Sequence, residues 1–218
     1  PCGPWRAPGS NTHAFVVQSF IHELAAAAGR DHLDFLIDLM GEPRWLEPGN
    51  IRALHTGRAI ATIKLAAEKA GWGRTMAKGS GLGLAFHFSH AAHVAEVAEV
   101  SVDARKNLRV HKVWAVADVG PIINMSGATS QVQGAIIDGL SAMAMQKITM
   151  EQGRIQQDNF DSYPVLRMSQ TPEIDVHFIQ SDFAPTGIGE PGLPPLAPAV
   201  GNAIFAAIGY RVRSMPLT

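Results

Sequence analysis

The hydrophobic period changes once along the chain, and that change limits the fold more than any other feature. Between residues 10 and 70, apolar side chains recur at helical spacing. Val17, Phe20, Ile21, Leu24 and Ala28 follow a Ser10-Asn11-Thr12 cap and stop at Gly29. Asp31 and Asp34 open a second helix with Phe35, Leu36 and Leu39 inward, ended by Gly41-Glu42-Pro43. A third runs from Thr56 to Ala70 on Ile60, Ile63, Ala66, Ala67 and Ala70. Then β-branched and apolar runs take over at 81–89, 94–102 and 108–119, the last two joined across Asp103–Asn107 in hairpin fashion. A helix over 126–145 (Val132, Ala135, Ile136, Leu140, Met143), an alternating strand over 174–180 and an apolar helix over 196–208 complete the order. Helices, then strands, then mixed elements define an α+β chain, with helices packed on a mixed, largely antiparallel sheet. No linker composition divides residues 1–218, so one folding unit is expected.

Composition removes several functions. Lys plus Arg (18) balance Asp plus Glu (19), so no basic field exists to attract nucleic acid. The single cysteine, Cys2, excludes an internal disulfide and a cysteine-built iron–sulfur site within the chain. No apolar run reaches the ~18 residues of a membrane span. The abrupt opening, Pro1-Cys2-Gly3-Pro4-Trp5 without Met, reads as the start of a piece of a longer polypeptide.

The densest local signal is Thr186-Gly187-Ile188-Gly189-Glu190-Pro191-Gly192. Between Asp182 and Arg211, Glu190 is the only residue charged at neutral pH. Glycines admit a ligand, prolines stiffen the loop, and a helix follows at once. A carboxylate in apolar surroundings resists ionisation and becomes a candidate general base; in open solvent it is an idle loop residue. Trp5-Arg6-Ala7-Pro8-Gly9 delivers an arginine beside a helix start, either to grip an anion or as a solvent-facing turn. Gln131 and Gln133 sit early in the 126–145 helix, where an amide can pair with a ligand heterocycle or simply face water. His87, His90 and His93 have a metal-like spacing, but they fall across a strand boundary without carboxylate or cysteine neighbours, so no metal site is expected there. Gly79-Ser80-Gly81-Leu82-Gly83 lacks the strand before and helix after that a phosphate loop requires.

Taken together, the motifs resemble a known family. Trp5–Gly9 before Phe20-Ile21-His22-Glu23-Leu24-Ala25, then Asp118-Val119-Gly120-Pro121-Ile122-Ile123-Asn124, Gln131–Leu140, Tyr163–Met168 and Gly187–Gly192 follow the order found in bacterial molybdenum hydroxylases. The likeness is to the large, molybdopterin-binding subunit of the isoquinoline 1-oxidoreductase type, within the xanthine dehydrogenase and aldehyde oxidase family. The resemblance implies that residues 1–218 are the C-terminal part of the second cofactor domain. It implies Glu190 as general base, with Arg6, Ala7, Gly9, Gln131 and Gly189 toward the cofactor and no side chain ligating the metal. The cofactor would be molybdopterin with molybdenum, commonly as the cytosine dinucleotide. The substrate would be an N-heterocycle or aldehyde, hydroxylated with oxygen from water.

Electrons would leave through iron–sulfur clusters on a small [2Fe-2S] partner subunit, with a cytochrome as a further candidate acceptor. The remainder of the large subunit would be a partner too, and the isolated 218 residues would neither hold the cofactor nor turn over. Either a cytoplasmic or a periplasmic address fits. Pro8 replaces the aromatic that xanthine-type members stack on substrate, which argues against a purine slot of that kind. The rival reading is an α+β module that kept the fold and lost the chemistry.

Overall fold

Short capping and turn residues set the element boundaries. The computed structural model describes residues 4–217; Cys2 lies outside them. Three helices come first: α1 (Ser10–Ala27), α2 (His32–Met40) and α3 (Thr56–Ala70). α2 starts where Asp31 accepts from the N–H groups of Leu33 and Asp34 at 2.8 and 3.2 Å. α3 ends as Gly71 turns left-handed (φ 63°), and the N–H of Trp72 returns to the Ala67 carbonyl at 2.9 Å.

α1 departs from the sequence expectation. Its cap is Gly9 (φ 74°), with no side-chain cap bond, and Ser10, Asn11 and Thr12 lie within the helix. Its inward face is Ala14, Gln18 and Ala25, whereas Val17 and Phe20 are 50% and 58% exposed and Leu24 is exposed as well. The reason is the sheet edge beside it. The Phe86 N–H points away from the neighbouring strand, and the Gln18 side-chain oxygen accepts it at 3.1 Å. Ala14 and Ala25 are buried on the same face of α1 as Gln18. In α2, Leu36 is buried as expected and Leu39 is exposed.

The main sheet has four strands: β1 (Ser80–Ser89), β2 (Ala92–Val102), β3 (Leu108–Asp118) and, beyond helix α4 (Met125–Met145), β6 (Glu173–Phe178). Between α4 and β6 lie a two-residue hairpin, β4 (Met150–Glu151) with β5 (Arg154–Ile155), and a single 3-10 turn at Met168–Gln170; neither has a periodic sequence signal. Order in the sheet is β1-β2-β3-β6, with the first three antiparallel. β6 joins parallel to β3, from Lys112↔Glu173 to Ala117↔Phe178. The His90–Ala91 turn between β1 and β2 uses two left-handed residues (φ 54° and 61°), the conformation that two-residue hairpins favour.

Alternation along the strands gives the sheet two apolar faces. Leu84, Phe86, Val97, Trp114 and Val116 pack on α2 and α3. Ala85, Ala98, Val113 and Ala115 pack on α4 and on the last helix, α5 (Leu196–Ile208). Each fully buried aliphatic such as Ile63, Ile136 or Leu196 contributes about 1.5–3 kcal/mol to this arrangement. The glycine run at 79–83 serves the packing. A Cβ on Gly83 would sit 2.1 Å from the Ala199 carbonyl oxygen, and one on Gly81 would sit 2.6 Å from that of Ala203, so these glycines let α5 lie directly on β1.

Among the buried polar side chains described, one is a carboxylate without a partner. Glu96, in β2, is completely buried, and neither carboxyl oxygen has a hydrogen-bond partner among the described residues. Burial raises its pKa well above the ordinary 4.5. The folded state therefore keeps a proton that the unfolded chain releases. Stability linked to this group is complete below pH 4.5 and is lost as pH rises toward the folded-state pKa. Glu96→Gln is accordingly expected to be more stable than the parent at alkaline pH, with the difference shrinking as the pH is lowered. Urea unfolding at several pH values checks this, and a pH-independent difference would contradict it.

Candidate active site

β1, β3 and β6 all end at one edge of the sheet, and the loops leaving that edge carry the candidate residues. The scaffold is a buried ion pair. Arg58, in α3, donates from Nε to Asp118 Oδ2 at 2.8 Å and from Nη2 to Oδ1 at 2.7 Å, both side chains being almost wholly buried. Burial opposes ionisation of Asp118. The Arg58 guanidinium and the Ser181 hydroxyl (2.7 Å to Oδ1) outweigh it and hold the carboxyl below the usual range. Arg58 also covers the Phe183 ring at 4.4 Å. The N–H of Thr186 reaches the Val119 carbonyl at 2.9 Å. Gly120 (φ 74°) runs so close that a Cβ would lie 2.5 Å from the Phe183 carbonyl oxygen. The segment 181–186 is thus tied to the end of β3, which fixes where residues 187–190 emerge.

Arg6 then gathers the site. Its Nε donates to the Gly189 carbonyl at 2.8 Å, and its Nη2 donates to the carbonyl and side-chain oxygens of Gln131 at 3.1 and 3.0 Å. Nη1 donates to Asp138 at 2.6 Å. Of the two readings of Arg6, the solvent-facing turn is set aside by these bonds: the guanidinium holds the Asp138 carboxylate and joins the first loop, α4 and the 187–190 loop. Gln131 and Asp138 stand two turns apart on one face of α4, with Gly134 between them, where a Cβ would lie 3.6 Å from Arg6 Nη1. The seven-residue spacing from Gln131 is the signal that could have found Asp138.

Glu190 sits at the centre. The Ala7 N–H donates to its Oε1 at 3.1 Å, and His90 Nε2 lies 2.7 Å from its Oε2. Ala7 itself is fully buried and left-handed (φ 56°), which turns its amide toward the carboxylate while Pro8 and Gly9 stay exposed. The carboxylate is not sealed: its side chain is 37% exposed. The histidine trio does not converge. His90 faces Glu190, and His93 is buried, with Nε2 accepting the His55 N–H at 3.0 Å. His87 is lowered to about 4 by burial and by His13 nearby. Among the described residues no group of three or more ligating side chains converges on one point. His90 beside Glu190 was invisible to sequence spacing, because a hairpin turn and a loop a hundred residues later bring them together.

Three sheet-end loops thus bring a fixed carboxylate, a committed guanidinium and an exposed backbone rim together. Comparison with known proteins names the family. The family described as the molybdopterin cofactor-binding domain matches residues 41–172. The chain belongs to this family, which molybdenum hydroxylases share. It is 36% identical over 189 residues to isoquinoline 1-oxidoreductase subunit beta of Brevundimonas diminuta, covering 84% of this chain and 24% of that protein. It is 31% identical over 210 residues to a membrane-bound aldehyde dehydrogenase [pyrroloquinoline-quinone] of Gluconacetobacter polyoxogenes, covering 92% and 27%. The chain thus spans about a quarter of the length of these relatives. The aldehyde oxidoreductase of Desulfovibrio desulfuricans shares the fold, with a TM-score of 0.75 at 13% identity over 97% of this chain and 40% of that one. No helix among the described residues is long and apolar enough to cross a membrane.

Proposed function

We propose that residues 1–218 are the C-terminal part of the second cofactor domain in the catalytic subunit of a molybdenum hydroxylase, with Glu190 as its general base. The observation that carries this reading is the fixed carboxylate: Glu190 Oε1 bound by the Ala7 amide, in a loop that Arg6 ties through Gly189 to α4. The residues fit a pterin cofactor in kind. Gln131 is exposed, and its side-chain oxygen is taken by Arg6, while its NH2 group has no protein partner among the described residues and is free to donate to a heterocycle. The exposed Pro8–Gly9 rim allows close backbone approach, with Ala7 and Gly9 both left-handed. Gly9, Gln131 and Gly189 would line the cofactor, while Ala7, fully buried with its N–H on Glu190, would act from beneath that lining and Arg6 would hold it in register.

When bound, the molybdenum cofactor, as the cytosine dinucleotide in our reading, supplies the two-electron oxidation of the substrate C–H bond. Glu190 supplies the proton acceptor. Its carboxylate removes the proton from water-derived oxygen as the new C–O bond forms, a role that needs a base held within hydrogen-bond reach. The substrate class is an N-heterocyclic aromatic or an aldehyde, by analogy with the relatives, and Pro8 leaves no aromatic stack for a purine at that point. Electrons pass to iron–sulfur clusters on a small partner subunit.

The test uses the full-length polypeptide with its partner chains. We expect molybdenum on metal analysis, oxidation of isoquinoline or an aldehyde, and product oxygen drawn from isotopically labelled water. A pyrroloquinoline quinone in place of molybdenum, or product oxygen taken from O2, would defeat the reading.

A further inference from the structure

A base that works once per turnover has to be emptied between turnovers, and the surroundings of Glu190 limit how. Its Oε1 faces the Ala7 amide, which donates and cannot accept a proton. Arg6, the permanent cation of the loop cluster, is committed to Gly189, Gln131 and Asp138, and a guanidinium stays protonated. The third neighbour is His90, with Nε2 at 2.7 Å from Oε2. Of the three, the imidazole alone has a ring nitrogen lone pair that can accept a proton and a ring N–H that can give one up.

The placement of His90 adds a second observation. It occupies the first position of the β1–β2 turn, in left-handed backbone (φ 54°), at some conformational cost for a residue with a side chain. That conformation carries the ring over the Glu190 loop while 44% of the side chain remains exposed. One ring nitrogen touches the base, and the imidazole as a whole reaches the surface of the described residues.

We propose that His90 is the proton outlet of Glu190. The proton held on Oε2 passes to Nε2 of the neutral imidazole, which restores the carboxylate. The imidazolium then releases a proton to bulk water. Only O–H and N–H bonds change, and no electrons are transferred. The proposal rests on Glu190 being the base, and it adds a residue to that site.

The test has two readouts. In the cofactor-free full-length polypeptide, carbodiimide-driven coupling of glycine ethyl ester is followed at Glu190 by mass spectrometry, with the exposed Glu68 as internal reference. His90→Gly removes the cover from Oε2, so labelling at Glu190 is expected to rise severalfold while Glu68 stays constant. In the loaded enzyme, His90→Gly and His90→Asn are expected to lower kcat by about tenfold or more with little change in KM, and added imidazole should restore part of the loss in the Gly variant. Asparagine tolerates the left-handed turn, so the Asn variant keeps the backbone and removes only the proton acceptor.

Equal labelling in variant and parent, an unchanged kcat, or a loss that imidazole does not relieve would each overturn the proposal. Failure of the base assignment looks different: Glu190→Gln would then retain turnover, while the labelling experiment would still report the His90 contact.

Discussion

Glu190→Gln is expected to lower turnover of the enzyme by about a hundredfold to ten-thousandfold, the range that general base catalysis supplies. The substitution is nearly isosteric, and the amide oxygen of glutamine can still accept the Ala7 N–H that now meets Oε1 at 3.1 Å. The loop should therefore keep its course, since Arg6 holds it through the Gly189 carbonyl rather than through residue 190. What disappears is the basic, ionised carboxylate that can take a proton. The effect should fall on kcat, with KM and cofactor content close to the parent's. Unfolding free energy should move by no more than about 0.5 kcal/mol, because the side chain is partly exposed and not a core residue. Steady-state kinetics on isoquinoline or an aldehyde, with metal analysis of the same preparation, decides the matter. Full activity in this variant would move the base elsewhere.

The largest stability effect is expected at Arg58. Arg58→Met leaves Asp118 as a buried carboxylate without its guanidinium, and losing one partner of such a pair costs about 3–5 kcal/mol. The pH dependence separates this from simple loss of packing. In the parent, Asp118 has a folded-state pKa held below 3.8, so its contribution is present above pH 3.8 and is lost as pH falls through the folded-state value. Without Arg58 that depression goes, and the acid-side decline should weaken. Arg58→Met combined with Asp118→Asn should cost less than the two single changes added together, because the unpaired charge is gone. Urea unfolding of the four proteins measures the coupling, and strict additivity would refute it. Turnover should fall as well, since Ser181 and Phe183 are held to the end of β3 by the same pair.

The helical periods placed α3 and α5 at the residues where they occur, and the strand pattern placed β1 to β3 within one or two residues. α3 buries one face at helical spacing, while α5 and the three strands are buried along most of their length because they lie in the core, so pattern and packing agree. α1 was misread in its face because period alone cannot say which side of an apolar helix meets a sheet edge. Gln18, a polar residue, was needed inward to meet the Phe86 amide. The small hairpin at 150–155 had no period long enough to register.

The site divides in the same way. Glu190, Arg6, Ala7, Gly9, Gln131 and Gly189 stand out in the sequence because each belongs to a motif written in consecutive residues. Their arrangement still required the fold: Arg6 pairs with the Asp138 carboxylate and joins three segments, and Ala7 contributes an amide. Asp138 and His90 became legible only through distance in space.

What the sequence determined by itself was therefore the identity of the elements and the chemical types brought to the sheet edge. Hydrophobic period, capping and glycine placement are local properties and can be read one segment at a time. Which carboxylate oxygen meets which donor was decided by tertiary structure alone. Arg6 with Asp138, Arg58 with Asp118 and His90 with Glu190 are contacts between segments 60 to 132 residues apart, and such distances are set only when the whole chain has closed.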